Sequence, residues 1–437
     1  MTVLTNGMRK VDIAYRFHPV GQGLFASGRI SHQYQLHAWT PTAFSWVYDC
    51  GTSSSVSKYL IPELNLFGTE HLLLGNNIDL VTLSHFDSDH INGLTALLER
   101  VSVKTLLLPL IPLWKRLELA FMDEVRLDSD TMGFYLNPVT YLMNRFPERI
   151  QTIVLVPASS PPPDIFSEEL NEPKPWVEAG QSHISTASEL EAELSEELKT
   201  LDPRRRNSIE QLVPRGTIQV SQFWEFMPYN DLDLCPAVPP CFVDHVIAYR
   251  DQLLCGAFSE RQRKYLLAEI KKHYELHAGH SAHARNRISL FLYAGPVGRV
   301  TVSQTIGSTF MRPGGVEAKA NINLPFGTTA QQRLAVLYTG DGYLNDQRSI
   351  DALLAYLGPS RTDRLACLQV PHHGARSNWS TGHAVQFDPH MAVFCSDPTR
   401  KKPGHPHNEV VNDFSGYSTV SVDKKRGAVI EGTLILH

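Results

Sequence analysis

Apolar positions along the chain fall into short runs, each closed by polar, glycine or proline residues. Ile78-Asp79-Leu80-Val81-Thr82-Leu83 is one such run. Its end, Thr82–Leu83, reads as the end of a buried strand, and residues 91–100 read as a helix. Leu334–Tyr338, Cys367–Val370 and Met391–Cys395 are three further strand-length runs. Between these groups the pattern changes. Ser188 to Lys199 reads as an acidic amphipathic helix with Leu190, Leu194 and Leu198 on one stripe. Ser259 to Leu276 reads as a second helix, with Tyr265, Leu266, Ile270 and Tyr274 apolar and Lys271-Lys272 exposed. Ser159-Ser160-Pro161-Pro162-Pro163 marks a loop or linker. The longest apolar run, Thr105 to Trp114, spans ten residues with two prolines and is too short to cross a bilayer. Internal repeats, heptads and a phosphate-cradling glycine loop are not evident.

The chemistry lies just beyond the strand ends. Ser84-His85-Phe86-Asp87-Ser88-Asp89-His90-Ile91-Asn92-Gly93 places four metal-capable side chains on the turn between strand and helix. Imidazoles and carboxylates crowded there suit zinc, manganese or iron. Leu334–Tyr338 runs into Thr339-Gly340-Asp341-Gly342, and Cys367–Val370 runs into Pro371-His372-His373-Gly374. Met391–Cys395 is followed by a loop carrying Gly404-His405-Pro406-His407. Each element alone is an ordinary turn or surface pair. Together, in order, they predict ligands gathered along one edge of a sheet.

On these residues, the chain resembles the metallo-β-lactamase superfamily, and within it the soluble hydrolase domain of ComEC-type competence proteins. The resemblance rests on Val20-Gly21-Gln22-Gly23-Leu24, Asp49-Cys50-Gly51, His85-x-Asp87-x-Asp89-His90, Asn286-Arg287-Ile288-Ser289-Leu290, Thr339-Gly340-Asp341, Pro371-His372-His373-Gly374 and Gly404-His405-Pro406-His407. These motifs cover roughly residues 10–100 and 284–420. Departures are Pro19 and Leu24 in place of acids, Asn92 in place of glycine, and Ala375 in place of serine. None removes a ligand. The implied fold is an α/β four-layer αββα sandwich, discontinuous over 1–100 and 284–437. Residues 101–283 would then be a large, mostly helical insertion, serving as a lid or a partner-docking region.

The resemblance implies a two-metal centre. His85 and Asp87 would hold one ion, Asp89 and His90 the other, with Asp341 bridging and His405 completing the second site. A separate histidine usual at the first site is replaced by Asn286, so one of His372 and His373 would complete it. His372 is the favoured ligand with His373 as its neighbour, and the reverse assignment stays open. Asp89 and His373 are the candidate catalytic residues. Two cations about 4 Å apart lower the pKa of a bridging water toward roughly 7, which supplies a hydroxide nucleophile. Zinc is the first choice of metal, and the carboxylate of Asp87 makes manganese its rival. The implied activity is hydrolysis of phosphodiester bonds, as a nuclease on DNA or RNA. Arg376, Ser377, Arg400 and His407 are candidate substrate contacts, with Lys401 and Lys402 adding charge nearby. Two alternatives remain: a small-molecule phosphodiesterase, or a component of a bacterial antiviral defence-type assembly. In the latter the fold would act as sensor, platform or partner-activated hydrolase.

Composition narrows the setting. The 437 residues leave room for two or three domains, and 42% hydrophobic with 19% charged residues is ordinary for a globular protein. A net charge of −5 gives no global pull toward nucleic acid, so such binding has to be local. The start of the chain lacks a signal-peptide pattern, and the expected setting is cytoplasmic, with no membrane contact. The six cysteines are expected to be reduced thiols, with Cys50, Cys367 and Cys395 in the core and no zinc-knuckle spacing at Cys235 and Cys241. Arg204, Arg205 and Arg206 are the basic groups best suited to a lid over the metals. His273, His277, His280 and His283 are weak candidates for a second metal site.

Overall fold

The computed structural model describes residues 9–32, 42–72, 77–122, 124–127, 129–159, 182–230, 259–277, 289–311, 318–322, 333–402 and 404–436, with isolated positions 244, 246 and 248. Two sheets dominate. The first runs from edge to edge as β13 (Ala318–Ile322), β12 (Val300–Met311), β18 (Arg426–Leu436), β1 (Arg9–Phe17), β2 (Phe25–His32), β3 (Thr42–Cys50), β4 (Asn77–Thr82), β5 (Ser102–Pro109), β6 (Ile150–Val156) and β8 (Ile209–Gln211). The second runs β17 (Ser418–Val422), β16 (Met391–Cys395), β15 (Leu365–Gln369), β14 (Ala335–Tyr338), β11 (Leu290–Pro296), β10 (Trp224–Asn230), β9 (Ile218–Val220) and β7 (Ser182–Ile184). Each sheet has a parallel half. In the first it is β3 through β8, and in the second β14 through β17.

Burial explains why these sequences become strands. Strand β5 is apolar on both faces, as a central parallel strand must be: Leu106 and Leu108 face one core and Leu107 faces another. Between the sheets, Tyr15, Trp46 and Tyr48 meet Trp224, Phe226 and Tyr338. The outer face of the first sheet is covered by α1 (Ile61–Leu72), α3 (Leu94–Arg100), α4 (Leu113–Met122), α5 (Asp130–Leu136) and α6 (Pro138–Arg145), with α2 (Ser88–Ile91) at its end. A third core, including Ile350, Leu353 and Phe414, covers the outer face of the second sheet.

Several sequence expectations change here. Residues 101–283 do not stand apart as a mostly helical insertion. They supply β5, β6 and β8 to one sheet and β7, β9 and β10 to the other, because their apolar runs complete both cores. The helix expected over 91–100 is broken into α2 and α3 at Asn92-Gly93. There the Gly93 amide donates to the Cys50 carbonyl at 2.8 Å, tying the break to the end of β3. The acidic helix is shorter, Ala192–Glu197, and buries Leu194, while Leu198 is buried in the 3-10 turn Leu198–Thr200 that follows it. In the helix Glu260–His277, Leu267 and Ile270 are buried, whereas Tyr265, read as apolar-facing, is 69% exposed. Cys50, Cys367 and Cys395 are free and buried. Cys235, Cys241, Asn286, Arg287, Ile288, His280 and His283 lie outside the described residues, as do the side chains of His273 and His277. No described helix is long and apolar enough to cross a membrane.

Candidate metal centre

Parallel strands of one sheet end on the same side, and the loops beyond their carboxyl ends make a natural cleft. Here five such ends converge. Strand β3 finishes with Asp49-Cys50, β4 leads into 84–90, β14 into 339–341, β15 into 371–374 and β16 into 396–407. The approach is close: a Cβ on Gly51 would lie 2.4 Å from the Asp89 carbonyl carbon and 2.5 Å from the His90 amide, so only glycine lets the two loops touch. Asp49, His372 and His373 adopt left-handed backbone with φ of 54°, 46° and 59°. Such conformations cost on the order of 1–3 kcal/mol each and persist where surrounding structure enforces them.

The first motif meets two of the downstream clusters, those of Asp341 and His373. His85, His90 and Asp341 bring one ligand atom each within 4.8 Å of one another, and so do Asp89, His90 and His373. His85 Nε2 lies 3.7 Å from Asp87 and 4.0 Å from Asp341. His372 Nε2 lies 3.7 Å from Asp341 Oδ2, and His373 Nε2 lies 3.2 Å from Asp89 Oδ2. Both histidines of the pair therefore face the cluster, His372 toward Asp341 and His373 toward Asp89 and, at 3.9 Å, Asp341 as well. His372, the ligand favoured from sequence, falls outside the two tight sets, as do His405 and Asp87, whereas His373 belongs to one of them. The His405 ring stands 5.5 Å from His372 and 6.3 Å from His373, centroid to centroid.

The environment leaves lone pairs pointing inward. His90 Nδ1 donates to Asp49 Oδ2 at 2.7 Å, and His373 Nδ1 donates to the Cys395 carbonyl at 2.6 Å. His372 Nδ1 donates to Asn378 Oδ1 at 3.0 Å. Each tie reserves Nε2 for the centre. His405 differs, since its Nδ1 faces the Gln22 amide at 3.5 Å. At the centre, buried His85 Nε2, His90 Nε2 and Asp341 Oδ1 have no hydrogen-bond partner among the described residues. His90 Nε2 and Asp341 Oδ1 approach to 3.1 Å without the angle a hydrogen bond requires. Buried polar atoms are normally satisfied, so a converging set of orphans with imidazole and carboxylate chemistry fits divalent cations.

Electrostatics divide the imidazoles. Burial works to lower His90 and His373, but Asp341 and Asp49 hold His90 well above its ordinary value, and Asp341 and Asp89 raise His373, so a cation bound there would have to displace their protons. Burial, followed by the neighbouring His90, pushes His85 down to about 4, so its imidazole is neutral near pH 7. Burial works to raise Asp89, but the His373 hydrogen bond and His90 outweigh it and hold the carboxyl at about 2. Asp341 is likewise held well below the usual range: burial opposes, and His372, His90 and His373 prevail. His405 falls to about 3 through burial and the nearby His372 and His373.

The substrate contacts expected from sequence are less uniform. Arg400 lines a cleft of about 870 Å³ that opens beside Asp87 and Asp89, and it donates to Ser53 Oγ at 2.6 Å. Arg376 turns its exposed guanidinium toward Glu409 at 3.4 Å, while its amide donates to His407 Nδ1 at 3.2 Å. Ser377 donates to Asn378 at 2.6 Å, and so acts on the residue that orients His372. Arg204, Arg205 and Arg206 do not line this cleft. Arg204 pairs with Asp202, Arg205 bonds the Met143 carbonyl, and Arg206 bonds the carbonyls of Leu201 and Lys199. Helix ends leave carbonyls without partners, and most of this cluster is spent on such groups.

Asp49, Gln369 and Asn378 had no role in the site as read from sequence. Asp49 accepts from the Ser84 amide and hydroxyl, each at 2.6 Å, as well as from His90. Gln369 Oε1 accepts from the Thr339 and Gly340 amides at 2.8 Å and so sets the loop that carries Asp341. Asn378 donates to the Asp341 carbonyl at 2.8 Å. Asp49→Asn puts an amide group against the His90 Nδ1 proton. The expected result is a metal affinity about 10- to 100-fold weaker, read by competition with a chromophoric chelator. Unchanged affinity would remove Asp49 from its orienting role.

No curated protein matches the sequence. Residues 44–180, which begin in β3 and include the His85–His90 motif, match the family model of the metallo-beta-lactamase superfamily. Residues 44–180 are thus similar to the metallo-β-lactamase superfamily, and the candidate ligands of the second sheet meet the motif that this matched segment contains.

Proposed function

We propose that this protein is a two-metal hydrolase of phosphodiester bonds, acting as a nuclease. The observation that supports it most is the pair of overlapping ligand sets that share His90, with orphaned Nε2 and carboxylate atoms between them. His85, Asp87 and Asp341 would serve one ion, and Asp89, His90 and His373 the other, with His372 beside Asp341. Divalent cations held there would supply Lewis acidity and a water deprotonated near neutral pH, a combination suited to in-line displacement at phosphorus. The chain's own residues do the rest. Asp49, Cys395 and Asn378 fix the imidazole tautomers, and Gln369 fixes the Asp341 loop. Arg400 at the mouth of the cleft offers a cation to a phosphate of the substrate. Three hydrophobic cores, one between the sheets and one outside each, support a four-layer αββα arrangement. The His372-His373 and His405-Pro406-His407 clusters support the ComEC-type branch.

The test is cleavage of labelled single- and double-stranded DNA and RNA, and of bis(p-nitrophenyl) phosphate, after exhaustive chelation and after refilling with manganese or zinc. Chelation is expected to abolish cutting and either metal to restore it. Metal-loaded protein that cuts none of these substrates would overturn the reading.

A further inference from the structure

The cleft beside Asp87 and Asp89 holds more than metal chemistry requires. Its wall is a ladder of aromatic rings that starts inside the metal loop, at Phe86 between two of the ligands. Phe86 meets Phe134 edge-on at 4.9 Å, and Phe134 meets Tyr141 edge-on at 5.8 Å. The Tyr135 hydroxyl donates to the Phe86 carbonyl at 3.0 Å and pins the ladder to the loop. At the far end Arg145, exposed on the last turn of α6, donates to the Tyr141 hydroxyl at 3.1 Å and lies 5.7 Å from its ring centroid. Phe86 and Phe134 are buried, Tyr141 is only half-buried, and Arg145 and Arg400 both border the same space. Its volume of about 870 Å³ falls within the range of sites that enclose small organic ligands.

From this we infer that the cleft is a nucleobase subsite: Tyr141 stacks an unpaired base next to the scissile phosphate, and Arg145 holds the phosphate beyond it. The inference rests on the phosphodiesterase reading above and names its substrate as a strand or dinucleotide carrying unpaired bases. Three features converge on that class. Asp87 and Asp89 line the same cleft as Tyr141, so a ligand on that ring borders the metal loop. A half-exposed tyrosine backed by rigid rings is a stacking platform that tolerates any base. A guanidinium at its outer end suits a phosphate, and a second one, Arg400, borders the cleft where it bonds Ser53. Both helices that build the ladder, α5 and α6, come soon after the first metal motif in the chain. That segment therefore shapes substrate choice through Tyr141 and Arg145 rather than through Arg204 to Arg206.

The experiment compares a single-stranded oligonucleotide with its abasic counterpart, on wild type, Tyr141→Ala, Tyr141→Phe and Arg145→Gln, all metal-loaded. Wild type is expected to show a KM about tenfold lower for the base-carrying strand, the size that one base–aromatic stack supplies. Tyr141→Ala should erase that preference and Tyr141→Phe should keep it, with kcat little changed in both. Arg145→Gln should raise KM for the two strands alike. Stacking is read separately from cleavage, as quenching of 2-aminopurine in the strand, present in wild type and lost in Tyr141→Ala. A preference or quenching that survives Tyr141→Ala overturns the subsite. If wild type quenches through Tyr141 but cuts neither strand, the subsite stands and the phosphodiesterase reading falls.

Discussion

Asp341→Asn is expected to lose bound metal and to lower activity by at least about a thousandfold, beyond what a single preorganised electrostatic contact supplies. Among the described residues, Asp341 is the one carboxylate set among four imidazoles, at 3.1 Å from His90, 3.7 Å from His372, 3.9 Å from His373 and 4.0 Å from His85. Asparagine keeps the volume but removes the charge that would offset two cations, and it turns an N–H toward the surrounding imidazoles. The loop itself should hold, because Gln369 and Asn378 bind its backbone rather than the Asp341 side chain. Metal content by elemental analysis, activity, and the far-ultraviolet circular dichroism spectrum are read together. Metal lost with the spectrum intact is the expected result. Full activity in the variant would refute the bimetal assignment.

The second large effect is on stability. Trp46→Ala should cost about 3–5 kcal/mol, the usual penalty for emptying a large buried aromatic site. Trp46 is fully buried between the sheets, 5.2 Å from Phe226 and 6.1 Å from Trp224, and its Nε1 donates to the Tyr338 hydroxyl at 3.2 Å. Gly28 packs so tightly on its indole that a Cβ there would stand 2.0 Å from the ring. The neighbours are themselves wedged, so the cavity cannot collapse. Urea unfolding should show a lower midpoint at unchanged slope, since the exposed surface is nearly the same. A loss under about 1 kcal/mol would mean that the two sheets do not share this core. Metal stoichiometry at low temperature should be normal, because Trp46 holds the scaffold and touches no ligand.

How far this was visible in the chain alone depends on the range of each interaction. Strand ends carrying Asp341, His372-His373 and His405 were legible, because apolar runs closed by glycine or proline are local signals. Strand β16 lies where the pattern put it. The contribution of residues 101–283 to both sheets was hidden, since β8, β9 and β7 are three residues each and carry no alternation to read. Side-chain partners were hidden because they lie far along the chain. Arg204 to Arg206 look like a substrate patch until nearby carbonyls claim two of them and Asp202 the third. Arg145 and Tyr141 look like an ordinary helix end until Phe134 brings them to Phe86. The role of Asp49 depends on a loop 41 positions away.

The same long reach bears on how the protein is made. Asp89 meets His373 across 284 positions, and Gln22 meets His405 across 383. During synthesis the His85–His90 loop emerges first, and His373 leaves the ribosome only 284 positions after Asp89. A nascent chain at that earlier stage offers loose, low-affinity ligands, and pairing so distant in sequence forms slowly. Under the two-metal reading, metal capture would therefore be a late event, a checkpoint passed only when both sheets have closed. Metal occupancy would then report complete folding rather than local order.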